Sequence, residues 1–278
     1  MTASPLLGYV DRHGFLHTLT GTAKLVLVIG IVLGAMIGFD LRYLVGLSVL
    51  SIVLWISSRV RLRDLAVVLG IIGVFMLLNN LLIFVFAPRY GTELFGTTHV
   101  LLSGPWRYDL TLEQLYYQLL VTLKYLAVLP SVLLFIATTR PPEFASSLNR
   151  IGVPYRAAYA VSLALRYIPD VQRDFHTISQ AHQARGLDTS SRAPILTRAR
   201  NLVSVLLPLL LGALDRIEVV ASAMELRGFG QGRRRTWYDQ RALRLRDLLV
   251  MVLAVVIAVV PVLLLGVDGG RYWNVFAS

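Results

Sequence analysis

The stretch Leu65-Ala-Val-Val-Leu-Gly-Ile-Ile-Gly-Val-Phe-Met-Leu-Leu-Asn79-Asn80-Leu-Leu-Ile-Phe-Val-Phe-Ala87 carries no aspartate, glutamate, lysine or arginine. At 1.5 Å per residue such a helix is about 35 Å long, enough to cross a hydrocarbon core of ~30 Å. Comparable apolar segments occupy 24–40, 42–57, 115–138 and 247–266, some near the short end of the spanning range. The chain therefore reads as an all-α polytopic helical membrane protein with about five spans. Of its 278 residues, 56% are hydrophobic, against about 45–50% in soluble domains. The first two segments meet at a tight turn around Asp40, Leu41 and Arg42 and read as a helical hairpin.

Charge sets the expected orientation. Ser58-Arg59-Val60-Arg61-Leu62-Arg63 follows the second span and should be cytoplasmic by the positive-inside rule. The third span then runs outward. Residues 88–114, with Gly91, Gly96, Pro105 and Trp106, form an irregular outer loop, and the fourth span returns to Arg140. This places the N-terminus and the arginines 233–235, 241, 244 and 246 inside, and the C-terminus outside. The expected organisation is a membrane domain of four spans over 1–138, a cytoplasmic or interfacial helical module over 139–246, and a last span with an outer tail over 247–278. The formal net charge of +11 fits cytoplasmic loops beside anionic lipid. Absence of cysteine excludes disulfides and thiolate metal sites. The first twenty residues, with Asp11, Arg12, His13 and His17, lack the apolar core of a cleavable signal peptide.

Within 139–246, Arg140-Pro141-Pro142-Glu143 reads as a helix start and Ile151-Gly152-Val153-Pro154 as a stop. The apolar run Leu202–Leu214 is too short to span alone, and a single crossing there would put the later arginines on the wrong side. It reads as buried or interfacial, as does Ala157–Leu165. Nearby Pro169 and Pro208 are expected to kink these helices along the membrane surface.

A short motif occurs twice in this module. Ala184-Arg185-Gly186 closes one helical segment and Leu226-Arg227-Gly228 another. Each arginine continues an apolar stripe: Val171, Phe175, Ile178 and His182 before Arg185, and Ile217, Val220 and Met224 before Arg227. Glycine beyond a helix is an ordinary C-cap, and a cation in the last turn suits the helix dipole. Two copies on two stripes also suit a chain that engages two similar partners.

Other chemistry is sparse. His176 and His182 are not on one helical face, so a metal pair is not expected. Gly228-Phe229-Gly230-Gln231-Gly232 lacks the preceding strand and following lysine of a phosphate loop. Lys124 lies about fifteen residues, or roughly 22 Å, inside the fourth span. Asn79 and Asn80 sit at similar depth on the third, so Lys124 is expected to hydrogen-bond one of them and pin the spans together.

Thr138-Thr-Arg-Pro-Pro-Glu-Phe144, Leu165-Arg-Tyr-Ile-Pro169, Gln183-Ala-Arg-Gly-Leu187 and Ala223-Met-Glu-Leu-Arg-Gly-Phe229 together resemble the transmembrane coupling subunit, the T component, of energy-coupling factor vitamin and metal transporters. The cobalt transporter permease subunit is in that family. The resemblance implies a non-catalytic subunit of the bacterial inner membrane. Two coupling helices would dock on two ABC-type ATPase subunits, with the arginines 185 and 227 paired to acidic groups there. ATP and magnesium would be bound by those ATPases and no cofactor by this chain. A separate membrane S component would hold the substrate. Two readings compete: a conventional ABC permease forming the substrate path, which two motifs in one chain argue against, and a membrane-embedded lipid or diphosphate enzyme, which the absence of clustered acids argues against. Nucleic acid is not an expected partner, because the arginines lack interleaved base-stacking aromatics.

Overall fold

A computed structural model describes residues 14–102, 108–186, 194–230, 236–238 and 240–267. The arginines 233–235, the loop residues Pro105 and Trp106 and the tail beyond 267 lie outside the described residues. The helices are α1 (Phe15–Thr18), α2 (Gly21–Ile37), α3 (Leu41–Ser58), α4 (Ala66–Phe86), α5 (Tyr90–Phe95), α6 (Leu112–Thr138), α7 (Pro141–Arg150), α8 (Tyr155–Ala184), α9 (Ile195–Leu226) and α10 (Leu245–Val267). Among the described residues, α3, α4, α6 and α10 are long and apolar enough to cross a membrane. The first expected span, α2, has 17 residues and a length of about 26 Å, at the short end of the spanning range.

The chain divides into two compact units, Met1–Glu143 with Arg241–Ser278, and Phe144–Gln240. In the first, α10 packs on α2, and the reason is in the glycines of α2. A Cβ on Gly30 would stand 2.5 Å from the Ala254 carbonyl oxygen, and one on Gly34 would collide with the Tyr43 hydroxyl and the Ile257 carbonyl. Two glycines four residues apart let the backbones approach, as at small-residue contacts between membrane helices. Tyr43 Oη donates to Ile257 O at 2.7 Å across this contact. Leu27, Ile31 and Ala35 then share a core with Leu47, Ala127, Ala254 and Ile257. Ser51 and Ser131 share a hydrogen bond of 3.0 Å between α3 and α6.

Polar groups fasten one end of this bundle. Asp247, at the start of α10, accepts from Thr20 N at 2.7 Å, Thr20 Oγ1 at 3.0 Å and Arg244 N at 2.8 Å. Lys24 is buried and donates to Thr138 O at 2.8 Å. That carbonyl would ordinarily accept from the residue four further on, but Pro142 has no N–H. Position 24 reads in the sequence as a span boundary; the fold makes it a buried tie on the last carbonyls of α6.

The described residues of the expected irregular loop, 88–102 and 108–114, instead carry regular structure: α5 and an antiparallel pair of strands, β1 (Val100–Leu102) and β2 (Leu110–Thr111). The order comes from side chains at the start of α6. Fully buried Glu113 accepts from His99 N at 3.0 Å and Thr97 Oγ1 at 3.1 Å, and Gln114 Oε1 accepts from Gly91 N at 2.8 Å.

In the second unit, Pro169 lies inside α8 and Pro208 inside α9. Within Leu202–Leu214, Val205 is buried, while Leu207 and Leu210 are 61% and 60% exposed. The run lies within the 32 residues of α9.

Candidate functional site

Both arginine motifs are helix ends of the same backbone form. Arg185 is the C-cap of α8, with φ −91° and ψ 11°, and Arg227 is the C-cap of α9, with φ −87° and ψ 10°. Gly186 and Gly228 follow at φ +84° and +65°, where a side chain would be strained. Gly186 N donates to Gln183 O at 2.9 Å and Gly228 N to Glu225 O at 2.8 Å. The glycines let the chain leave each helix at once, so both arginines project from a blunt end. Ala184, Arg185, Gly186 and Arg227 are exposed, Gly228 is partly covered, and Leu226 is 90% exposed.

The two helices lie antiparallel. Arg216 Nη2 donates to Asp174 Oδ2 at 2.7 Å, while Tyr159 and Phe229 meet with ring centroids 4.8 Å apart, so numbers fall along one helix as they rise along the other. The Asp174 hydrogen bond and charge raise the pKa of the Arg216 guanidinium above its ordinary value. Three helical turns separate Asp174 from Arg185 and Arg216 from Arg227. The antiparallel order places Arg227 beside the start of α8. Arg185 stands at its far end, about 39 Å beyond Tyr159 at 1.5 Å per residue. The motifs are two separate sites and not one double-arginine cluster.

Between the helices runs a groove of about 670 Å³. Val171 lines it from α8, and Ile217, Val220 and Met224 line it from α9. Thus the stripe before Arg227, with the first residue of the stripe before Arg185, opens into the groove. Phe175, Ile178 and His182 are not among the lining residues.

Residues 13–238 match the family described as Cobalt transport protein, CbiQ. The chain belongs to this family. As a T component of the energy-coupling factor type it is a transmembrane transporter subunit. Proteins named energy-coupling factor transporter transmembrane protein EcfT are similar to it over most of their length. That of Staphylococcus aureus is 26% identical, covering 91% of this chain and 93% of the relative, and that of Thermosediminibacter oceani is 28% identical, covering 90% and 94%. The one from Limosilactobacillus fermentum is 33% identical over 51% of this chain, which spans about half (55%) of that relative's length.

In this T component Asn80 ties the third and fourth spans, with Thr122 and Gln118 as its partners on α6. Asn80 Nδ2 donates to Thr122 Oγ1 at 3.1 Å, and Gln118 Nε2 donates to Asn80 O at 3.1 Å. Gln118 and Thr122 are one turn apart on α6 and face α4. Lys124, two residues on, is rotated by about 200°, and its Nζ lies 3.0 Å from the centroid of Phe39, a cation–π contact at the α2–α3 turn. Asn79 Oδ1 is buried with no hydrogen-bond partner among the described residues. Depth along a helix was readable from sequence; azimuth relative to a neighbour was not. Among the described residues no cluster of three or more histidines, aspartates or glutamates is placed to hold a metal ion.

The sequence reading also missed the Asp174–Arg216 pair. The same separation of 42 residues joins these two and the two arginines, a repeat signal present in the sequence.

Proposed function

We propose that this chain is the transmembrane coupling subunit of an ATP-driven energy-coupling factor importer for a vitamin or metal ion. The reading rests on one observation: two arginine-capped helix ends of matching backbone form at opposite ends of an antiparallel pair. A planar guanidinium at each end suits a bidentate grip on a carboxylate, which lysine cannot make. Each end engages one of two ABC-type ATPase subunits, with ATP and magnesium bound on those subunits. ATP-driven closure moves α8 and α9, and the spans carry that movement to a substrate-binding S component in the same bilayer. The chain performs no chemistry itself. It sits in the bacterial cell membrane with its N-terminus cytoplasmic and its C-terminus outside.

The test is Arg185→Glu and Arg227→Glu in the full transporter. Each change should weaken co-purification of the ATPases and abolish uptake while the chain still inserts. Losing one side of such a buried charge pair costs about 2–5 kcal/mol. Wild-type uptake in both variants refutes the proposal.

A further inference from the structure

The sequence Gly228-Phe229-Gly230 resembles a fragment of a nucleotide loop without being one, and the fold gives it another use. Gly228 and Gly230 both take positive φ, +65° and +86°, so the chain reverses on either side of Phe229. Phe229 N donates to Met224 O at 2.9 Å, completing the six-residue closure of the α9 terminus. The ring is thereby turned onto the start of α8, 4.8 Å from Tyr159 and 6.0 Å from Tyr155 between centroids. Trp237 closes the cluster, 5.2 Å from Tyr155, and its Nε1 donates to Asn149 Oδ1 at 3.1 Å. Arg156 Nη2 donates to Gly230 O at 3.0 Å, and a Cβ on Gly230 would stand 3.3 Å from that guanidinium. After Gly186 the chain reads Leu187-Asp188-Thr189, with neither a second glycine nor an aromatic residue.

We infer that Gly228-Phe229-Gly230 is a clasp that fixes the Arg227 end of α9 to the N-terminal turns of α8, with Phe229 as a positioning residue for Arg227, and that the Arg185 end has no such clasp in its sequence. This deepens the proposed function and rests on it. Phe229 follows Arg227 by two residues, so holding its ring holds the last turn from which the guanidinium projects. A force delivered to Arg227 is then shared by both helices at once. After Arg185 the sequence Leu187-Asp188-Thr189 offers no aromatic ring to share a force in the same way. The two levers would thus be mechanically unequal although their backbone caps match.

The test is a set of double-mutant cycles on the full chain in membrane vesicles, titrated with the purified ATPase pair of the same transporter. Phe229→Ala should weaken ATPase binding about tenfold, the scale expected for losing an aromatic cluster of this kind. In an Arg227→Ala background the same change should add no more than about twofold, because the residue it positions is already gone. In an Arg185→Ala background it should still cost the full factor. A side chain that only stabilises the fold would cost the same in all three backgrounds, and that result overturns the inference, as does no loss in the wild-type background. Should Phe229→Ala fail to insert, Tyr159→Leu removes the nearest ring with the loop sequence intact and must reproduce the pattern. Unchanged binding on Arg227→Ala alone would overturn the coupling role of that arginine and the clasp with it. A loss there, with equal Phe229 effects throughout, would overturn the clasp only.

Discussion

Asp247→Ala should loosen the attachment of the C-terminal span. The carboxylate is 1% exposed and accepts three hydrogen bonds: from the Thr20 backbone and hydroxyl, and from the Arg244 backbone. Each buried donor left without an acceptor costs about 1–3 kcal/mol. The Thr20 hydroxyl can turn toward another acceptor and the Arg244 N–H lies at a helix start within reach of water, so a net loss of about 2–4 kcal/mol is expected. In detergent this should lower the apparent unfolding midpoint by about 5–10 °C, read as loss of the monodisperse chromatographic peak after heating. Asp247→Asn keeps one acceptor oxygen and should fall between alanine and wild type. Because the tie joins residues 227 apart in sequence, the alanine variant should also become more sensitive to proteolysis ahead of α10. A midpoint unchanged in Asp247→Ala would refute the view that this carboxylate anchors α10 to α2.

Glycine substitutions should separate contact from open space. Gly30→Ala places a methyl group 2.5 Å from the Ala254 carbonyl and should destabilise by about 1–3 kcal/mol, whereas Gly46→Ala meets nothing within 4 Å and should be neutral; the same heating assay compares them. Asn80→Leu should weaken the α4–α6 contact by about 0.6–1.7 kcal/mol, seen as easier proteolysis after α4, while Lys124→Met leaves that contact intact. Equal effects of the two changes on α4 would show that the lysine shares the tie.

Much of the candidate site was legible because it is local. An Arg-Gly helix end is fixed by the backbone freedom of glycine within a few residues, and both copies closed their helices where the motif stands. Pro169 and Pro208 stand inside helices of 30 and 32 residues, where the turns on either side offset the local penalty of proline. The order of 88–102 was missed because it depends on Glu113 and Gln114 reaching backbone N–H groups many residues away. Thr122 and Gln118 meet Asn80 where Lys124 was expected, because depth along a helix does not give the direction in which a side chain points.

Sequence alone determined that this is a helical membrane protein with a basic helical module, and where the arginine-bearing helices stop. Those features follow from hydropathy, charge and glycine conformation, each summed over neighbouring residues. Only tertiary structure decided that α10 returns to α2, that Lys24 and Asp247 are buried, and that α8 and α9 run antiparallel with their arginines at opposite ends. Such pairings depend on surfaces brought together across tens to hundreds of residues, and no local preference encodes which surface meets which.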